Sequence, residues 1–220
     1  MEASIICGED DSIRCVTITG AGRFFCAGGD VGEFNATPEH LPFLMKELTA
    51  YLHMAITRFA QMPKPLITVI NGPAAGAGLS LALLGDIALA ARSAHLTPAY
   101  AAIGLSPDAG MSWMLPRLVG LRRAQKMVIT NERVSADEAA AIGLVTEAVD
   151  DALLPSRGTE IENQLVTAAT PALGKARNLL HSSFNTSLEA QMEIEARAMA
   201  DVCRTSEARE RIGAFVARRS

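Results

Sequence analysis

Four stretches of the chain carry the hydrophobic pattern of β-strands. Residues 12–20 alternate polar and apolar side chains and are rich in β-branched residues, which predicts a strand ending at Gly20. Residues 66–70, LITVI, are apolar or β-branched throughout, which predicts a buried strand. Shorter strands are predicted within residues 94–100 and 144–149.

Helical spacing of apolar residues occupies the segments between these strands. Residues 37–62 have the pattern of an amphipathic helix that ends before a Pro-Lys-Pro sequence. Residues 79–91 are apolar all round, which predicts a buried helix. Ser135, followed by Glu138, forms a capping-box pattern that predicts another helix start, and Gly143 suits its end.

The order of these elements predicts an α/β protein in two parts. Strand–loop–helix units fill residues 1–153, which we interpret as an α/β core. Residues 154–220 are helical in pattern and increasingly charged, with helix boundaries expected at Pro171 and Gly174. We interpret them as a helical C-terminal subdomain.

Composition narrows the classes of function. Hydrophobic residues make up 49% and charged residues 20% of the chain, which is typical of a soluble globular enzyme. The net charge of −4 argues against a general binder of nucleic acids or anionic membranes. No apolar run is long enough to span a membrane, and the first residues lack the pattern of an export signal.

The four cysteines, Cys7, Cys15, Cys26 and Cys203, show neither metal-ligand spacing nor a paired pattern. We therefore expect a reduced, cytoplasmic protein. No metal and no redox cofactor are expected.

Two glycine-rich loops each follow a predicted strand and open a predicted helix. They lie at residues 21–30 and 71–78. Such loops let a ligand approach the backbone, and free amides at a helix start stabilise negative charge, most strongly in a dry site. Either loop alone is also explained as a tight turn. Neither matches a phosphate-binding P-loop, and the second is at most a weak dinucleotide loop.

Four motifs occur in a fixed order: RFFCAGGDV, then a long stretch from MPKPLITVI through NGPAAGAG to RSAHL, then GLSPDAGMSWMLPRLVG, and VSADEAAAIGLVTEAV. In order and spacing the chain resembles the crotonase (enoyl-CoA hydratase/isomerase) superfamily from about Ile13 to its end. The resemblance implies a core built as a ββα superhelix and a C-terminal region that forms a homotrimer or a dimer of trimers. It also implies an acyl-CoA thioester as substrate, with coenzyme A entering only as part of that substrate.

The resemblance also implies roles for single residues. The backbone amides of Gly29 and Ala77 hold the thioester oxygen as an enolate forms. Phe215 and Arg218 reach the coenzyme A nucleotide of a neighbouring subunit; a solvated helix end is the alternative. The remaining predicted substrate contacts in the two loops are Ala27, Gly28, Asp30, Gly76 and Gly78.

The glutamates that hydratases of this family use are missing here. Their positions are occupied by Ser80 and Tyr100, which are weak bases near neutral pH and are assigned to the substrate pocket. In one branch, the enoyl-CoA isomerases and the ring-epoxide isomerases of phenylacetate breakdown, an aspartate in a Pro-Asp-x-Gly context moves the proton. Asp108 matches that context, and Trp113 is assigned to the acyl pocket or the core.

Asp108 also has a purely structural interpretation. Ser106 is placed as an N-cap, Pro107 as the first helical residue and Asp108 in the first turn, where a carboxylate suits the helix dipole. His53 and the other histidines lack partner acids at fixed spacing and are assigned no catalytic role.

The sequence therefore predicts an enoyl-CoA double-bond isomerase with Asp108 as proton shuttle. A hydratase that uses water held by Ser80 or Tyr100, and a catalytically silent acyl-CoA-binding subunit, are the alternatives. Residues 1–11 resemble only the end of the family's first helix, so its first strands are expected to be missing, which leaves a sheet edge exposed.

Overall fold

The computed structural model describes residues 1–36 and 38–218. Within them, the strands are Val16–Thr19 (β1), Leu66–Ile70 (β2), Ala74–Ala75 (β3), Ile87–Ala91 (β4), His95–Thr97 (β5), Val134–Ser135 (β6) and Glu147–Val149 (β7). The α-helices are Glu2–Glu9 (α1), Val31–Ala36 (α2), Leu41–Gln61 (α3), Ala77–Ala82 (α4), Met111–Val119 (α5), Leu121–Ile129 (α6), Ala136–Ala141 (α7), Leu154–Thr167 (α8), Thr170–Ser182 (α9), Leu188–Cys203 (α10) and Ser206–Ala217 (α11). Single turns of 3₁₀ helix lie at Pro38–His40, Ala101–Ile103 and Ser183–Asn185.

A parallel sheet in the order β1-β2-β4-β7 forms the centre of the core. Every residue of β2 is buried, as its run of apolar and β-branched residues predicts. Helix α8 packs on one face of this strand, where Gly158 lies against the Val69 side chain. Within the described residues β1 pairs only with β2, so it is an edge of the sheet.

The helix predicted over residues 79–91 is wrong in its second half. Helix α4 ends at Ala82, and Ile87–Ala91 is strand β4, which lies between β2 and β7. A central parallel strand is buried on both faces, so its apolar run cannot be distinguished by periodicity from a buried helix. The break falls at Gly85, where a Cβ would lie 2.4 Å from the Thr68 hydroxyl oxygen.

The other strands and the capping motif are placed as predicted, with small differences in length. The Ser135 hydroxyl accepts a hydrogen bond from the Glu138 amide at 3.3 Å and caps α7. The Glu138 carboxylate pairs with Arg123, and no bond back to Ser135 is found among the described residues, so only half of the capping box forms. Gly143 follows α7 with a φ of 74°, the left-handed geometry of a helix stop.

A buried ion pair joins the C-terminal helices to the sheet. Arg177 of α9 has a side chain that is only 4% exposed, and its Nε lies 2.7 Å from both carboxylate oxygens of Asp86. Its Nη1 donates to the carbonyl oxygens of Ala60 and Met62 at the end of α3. Removing one partner of such a pair leaves an uncompensated buried charge.

Gly174 does not mark a helix boundary, contrary to the prediction. It lies inside α9, where a Cβ would be 2.1 Å from the carbonyl oxygen of Pro63. Its role is to let α9 approach the Pro-Lys-Pro segment. The division of the chain at residues 153 and 154 stays a prediction.

The four cysteines are all free thiols. Among the described residues, none of the helices combines the length and apolar character that crossing a bilayer requires.

Candidate active site

The two glycine-rich loops are in direct contact. The Cys26 carbonyl oxygen accepts a hydrogen bond from the Ala75 amide at 2.9 Å, and Cys26 forms an isolated β-bridge with Ala74. Two residues after Cys26, Gly28 has a φ of 93°. A Cβ built there would lie 3.0 Å from the Ala75 carbonyl oxygen and 3.5 Å from the Ala77 nitrogen. The first loop therefore passes directly over the start of α4.

This close approach depends on Gly78 in the first turn of α4. A Cβ at Gly78 would lie 2.1 Å from the carbonyl oxygen of Cys26, closer than any real contact. We expect Gly78→Ala to lower the free energy of unfolding by about 2–3 kcal/mol, the cost of overpacking a tight contact, as measured by urea denaturation. Gly8→Ala is the matched control, because Gly8 has nothing within 4 Å of its built Cβ. Equal stability of the two variants would contradict the close approach.

The amides of Gly29 and Ala77 are available to a ligand. Neither donates a hydrogen bond to any other residue that the structure describes. Gly29 follows Gly28, and Ala77 follows Gly76. These two glycines are neighbours in space, because a Cβ built at Gly76 would lie 4.0 Å from the Gly28 Cα. Gly76 itself is anchored, because its amide donates to the Thr97 carbonyl oxygen at 3.2 Å. The two predicted donors are thus brought to one place by neighbouring residues.

The first loop is closed by Asp30 and by an aromatic ring. Asp30 Oδ1 accepts from the amides of Gly32 and Glu33 at 2.8 and 3.3 Å, which fixes the start of α2. The Phe34 ring lies so close to Gly29 that a Cβ there would be 2.5 Å from its Cζ. Ala27, the remaining predicted contact of this loop, is exposed.

Asp108 is half-buried in a turn that precedes α5, not in its first helical turn. The predicted helix start at Ser106 and Pro107 is wrong. Ala109 and Gly110 have φ values of 54° and 80°, and these two left-handed residues delay the helix until Met111. The helix-dipole interpretation of Asp108 is therefore incorrect. A left-handed alanine costs of order 1 kcal/mol, so the surroundings must hold it there.

The two residues at the glutamate positions both hold Asp108. The Tyr100 hydroxyl donates to Asp108 Oδ1 at 2.5 Å, and the Ser80 hydroxyl donates to the Asp108 carbonyl oxygen at 3.2 Å. Ser80 is fully buried and lies one helical turn beyond Ala77. Asp108 Oδ2 has no hydrogen-bond partner among the described residues, so this oxygen is available to a ligand.

Tyr100 acts as a hydrogen-bond donor rather than only as a pocket wall. Burial, together with the hydrogen bond to Asp108, raises the pKa of Tyr100 well above its usual range, although the Ser80 hydroxyl acts in the opposite direction. The phenol therefore keeps its proton at neutral pH and donates a hydrogen bond to Asp108 Oδ1.

Removing this donor should disorient the carboxylate while leaving the pocket intact. We expect Tyr100→Phe to lower kcat roughly 10- to 150-fold, since a hydrogen bond to a charged group contributes roughly 1.5–3 kcal/mol and each 1.36 kcal/mol is tenfold in rate, with KM changed less. Steady-state kinetics on an acyl-CoA thioester, the substrate class that the sequence resemblance implies, would measure both. An unchanged kcat would show that Oδ1 needs no donor.

His53 is a residue of this site that the sequence analysis missed. Its Nε2 accepts a hydrogen bond from the Ala109 amide at 3.1 Å, across 56 residues of chain. The side chain projects from α3, whose apolar pattern gives no sign that one polar position faces the Asp108 turn.

A cavity of about 690 Å³ lies beside the Asp108 turn, between α3, α5 and α9. Gly110 and Trp113 line it, and Trp113 is 39% exposed, so this tryptophan is not a core residue. The Arg117 guanidinium stacks 4.0 Å from the Trp113 ring, and His181 stacks on it with 6.2 Å between ring centroids. Asp108, Gly29 and Ala77 are not among the residues that line this cavity.

Phe215 and Arg218 lie at the end of α11 and are exposed. The first turn of this helix is anchored by an ion pair between Glu207 and Arg14 at 2.8 Å. Contact of Phe215 and Arg218 with a nucleotide stays a prediction.

Comparison with known proteins places the chain among coenzyme A enzymes. Its sequence matches the family described as Enoyl-CoA hydratase/isomerase over residues 3–220. It is 38% identical over 213 residues to the 1,2-epoxyphenylacetyl-CoA isomerase of Escherichia coli (strain K12), covering 96% of this chain and 81% of the relative. It is 36% identical over 200 residues to 4-chlorobenzoyl coenzyme A dehalogenase-1 of Arthrobacter sp., covering 90% and 72%. A crystal structure of an enoyl-CoA hydratase from Polaromonas sp. JS666 superimposes with a TM-score of 0.93 at 33% identity, covering 99% of this chain and 84% of that one.

Proposed function

This chain belongs to the enoyl-CoA hydratase/isomerase family, and we propose that it moves the double bond of an enoyl-CoA thioester with Asp108 as its proton shuttle. The observation that carries the proposal is a single carboxylate oxygen, Asp108 Oδ2, left without a partner among the described residues, on a turn that Ser80 ties to the helix whose first amide, that of Ala77, also lacks an acceptor there. Members of the family process acyl-CoA, so the thioester is the electrophile that this site would receive.

The amides of Gly29 and Ala77 would hold the thioester carbonyl oxygen. Both N–H groups lack acceptors among the described residues, and the glycines that precede them are in contact. Two aligned donors stabilise the negative charge that develops on this oxygen when a proton leaves the neighbouring carbon. This stabilisation is what makes a carbon acid accessible to a carboxylate base.

Asp108 would then transfer one proton between two carbons. Its Oδ2 takes a proton from the α carbon of a 3-enoyl thioester, and the electron pair moves to the thioester oxygen. The resulting dienolate takes the proton back at its γ carbon, which leaves the double bond conjugated with the carbonyl. No atom is gained or lost, and the step requires neither metal nor redox cofactor.

The same arrangement disfavours hydration. Hydration needs two groups to handle a water molecule, and the side chains at the expected glutamate positions, Ser80 and Tyr100, are both engaged with Asp108. Tyr100 keeps its proton, because burial raises its pKa, and so cannot act as a base near neutral pH. A lone carboxylate therefore suits proton transfer better than water addition.

The direct test supplies the purified protein with 3-enoyl-CoA and 2-enoyl-CoA thioesters of matched chain length. We expect the first to be converted to the conjugated thioester, detected by its ultraviolet absorbance, faster than the second is hydrated. Faster hydration would replace the proposal by a hydratase. Thermal stabilisation by coenzyme A esters without turnover would replace it by a silent binding subunit. Release of chloride from 4-chlorobenzoyl-CoA, included because of the Arthrobacter relative, would point to Asp108 as a nucleophile.

The assembly of the chain is part of the same proposal. We propose a homotrimer or a dimer of trimers in which α11 reaches the nucleotide of a neighbouring subunit's coenzyme A. Sedimentation of the protein with and without an acyl-CoA would measure the assembly.

A further inference from the structure

The turn that carries Asp108 is tied to α3 by one side chain. Ala109 is completely buried and left-handed, with a φ of 54°, and its amide donates to Nε2 of His53 at 3.1 Å. Among the described residues this is the only acceptor of that amide. A buried amide without an acceptor is unfavourable, so the turn depends on the imidazole to keep its geometry.

We propose that His53 is a positioning residue that holds the Asp108 carboxylate at the reacting carbons, an inference that rests on the proposed isomerase function. His53 acts on the residue next to Asp108 and touches the carboxylate only through the backbone. Accepting a bond at Nε2 requires a neutral imidazole with its proton on Nδ1. The histidine therefore serves as an acceptor and not as an acid.

Three side chains from different parts of the chain then fix Asp108 and the peptide that follows it. Tyr100 holds Oδ1 of the side chain, Ser80 of α4 holds the carbonyl oxygen, and His53 of α3 holds the following amide. The Met111 amide also donates to this carbonyl oxygen, at 3.0 Å, so the planar peptide that follows Asp108 is held at its oxygen by Ser80 and Met111 and at its N–H group by His53. Among the described residues, His53 is the only one that satisfies the buried amide of left-handed Ala109, so loss of the imidazole favours relaxation of that residue and displacement of the adjoining Asp108 side chain.

The test compares two substitutions of similar size. The glutamine introduced by His53→Gln would still present an acceptor at about the same reach, whereas His53→Leu fills the space without one. We expect His53→Leu to lower kcat for 3-enoyl-CoA roughly 10- to 100-fold, the effect of a misplaced catalytic group, with KM changed less than about threefold. We expect His53→Gln to keep kcat within about threefold of the parent. His40→Gln is the matched control, since His40 precedes the same helix and its side chain caps nothing.

A second readout does not depend on activity. Hydrogen–deuterium exchange of the peptide that contains Ala109 should be faster in His53→Leu and unchanged in His53→Gln and His40→Gln. His53 is exposed on its helix, so folding should tolerate both changes; if His53→Leu does not fold, His53→Ala takes its place.

The outcomes separate this inference from the proposed function. A parental kcat in folded His53→Leu, or equal losses in the Leu and Gln variants, would overturn the positioning role. If the parent protein turns over no thioester, the proposed function fails, and exchange at Ala109 alone decides whether His53 holds the turn. Unchanged exchange in His53→Leu would then reject it.

Discussion

Asp108→Asn should abolish most of the isomerase activity while leaving the fold unchanged. Asparagine keeps the size of the side chain and an oxygen that can still accept from Tyr100, so the turn is expected to stay in place. What it loses is the ability of the second oxygen to take and return a proton. Because general base catalysis contributes about 100- to 10,000-fold, we expect kcat to fall by that factor.

The measurement is isomerisation of 3-enoyl-CoA, with binding of a saturated acyl-CoA followed in parallel. Binding should survive, since the amide donors are untouched. Asp137→Asn is the matched control, because the Asp137 side chain is 60% exposed and its carboxylate pairs with Arg92 rather than with a residue of the candidate site. Isomerisation by Asp108→Asn at the parental rate would remove Asp108 from the mechanism.

Local pattern predicts much of the fold because several elements obey local rules. The run at β2 is bounded by Pro-Lys-Pro and Asn-Gly, and α7 carries its own cap at Ser135, so both are recognisable without tertiary contacts. The four motifs predict the crotonase-like α/β fold as a whole. The superposition on the Polaromonas hydratase structure confirms it, with a TM-score of 0.93.

The local rules fail where tertiary contacts decide. Strand β4 has the apolar composition of a buried helix, and only its place between β2 and β7 makes it a strand. Ser106, Pro107 and Asp108 satisfy every rule for a helix start, yet the chain turns through Ala109 first. The contact that accompanies this turn comes from His53, 56 residues away, which no local pattern encodes.

The site residues divide along the same line. Gly29, Ala77 and Asp108 are placed by motif position, and the structure brings their segments together. The hydrogen bonds to Asp108 from Tyr100 and Ser80 could not be predicted, because a phenol and a hydroxyl at glutamate positions signal only a missing function.

The second large effect is expected from Ala77→Pro, which deletes one amide donor of the proposed oxyanion site. Ala77 is the first residue of α4, a position where proline is tolerated because its amide has no partner within the helix. The preceding residue is Gly76, which has no Cβ to meet the proline ring. The substitution should therefore remove the N–H group with little change in the helix.

We expect kcat for 3-enoyl-CoA to fall about 100- to 1,000-fold, the effect of losing one donor to a developing oxyanion. Ser206→Pro is the matched control, because Ser206 is likewise the first residue of a helix, α11, and is exposed. Circular dichroism and thermal melting should show both variants folded. A folded Ala77→Pro protein with parental kcat would mean that the thioester oxygen is held elsewhere. The two amides of Gly29 and Ala77 would then not act together on that oxygen. A shared enolate intermediate requires that Ala77→Pro and Asp108→Asn each lower kcat while the protein stays folded, because the amides stabilise the charge that the carboxylate creates.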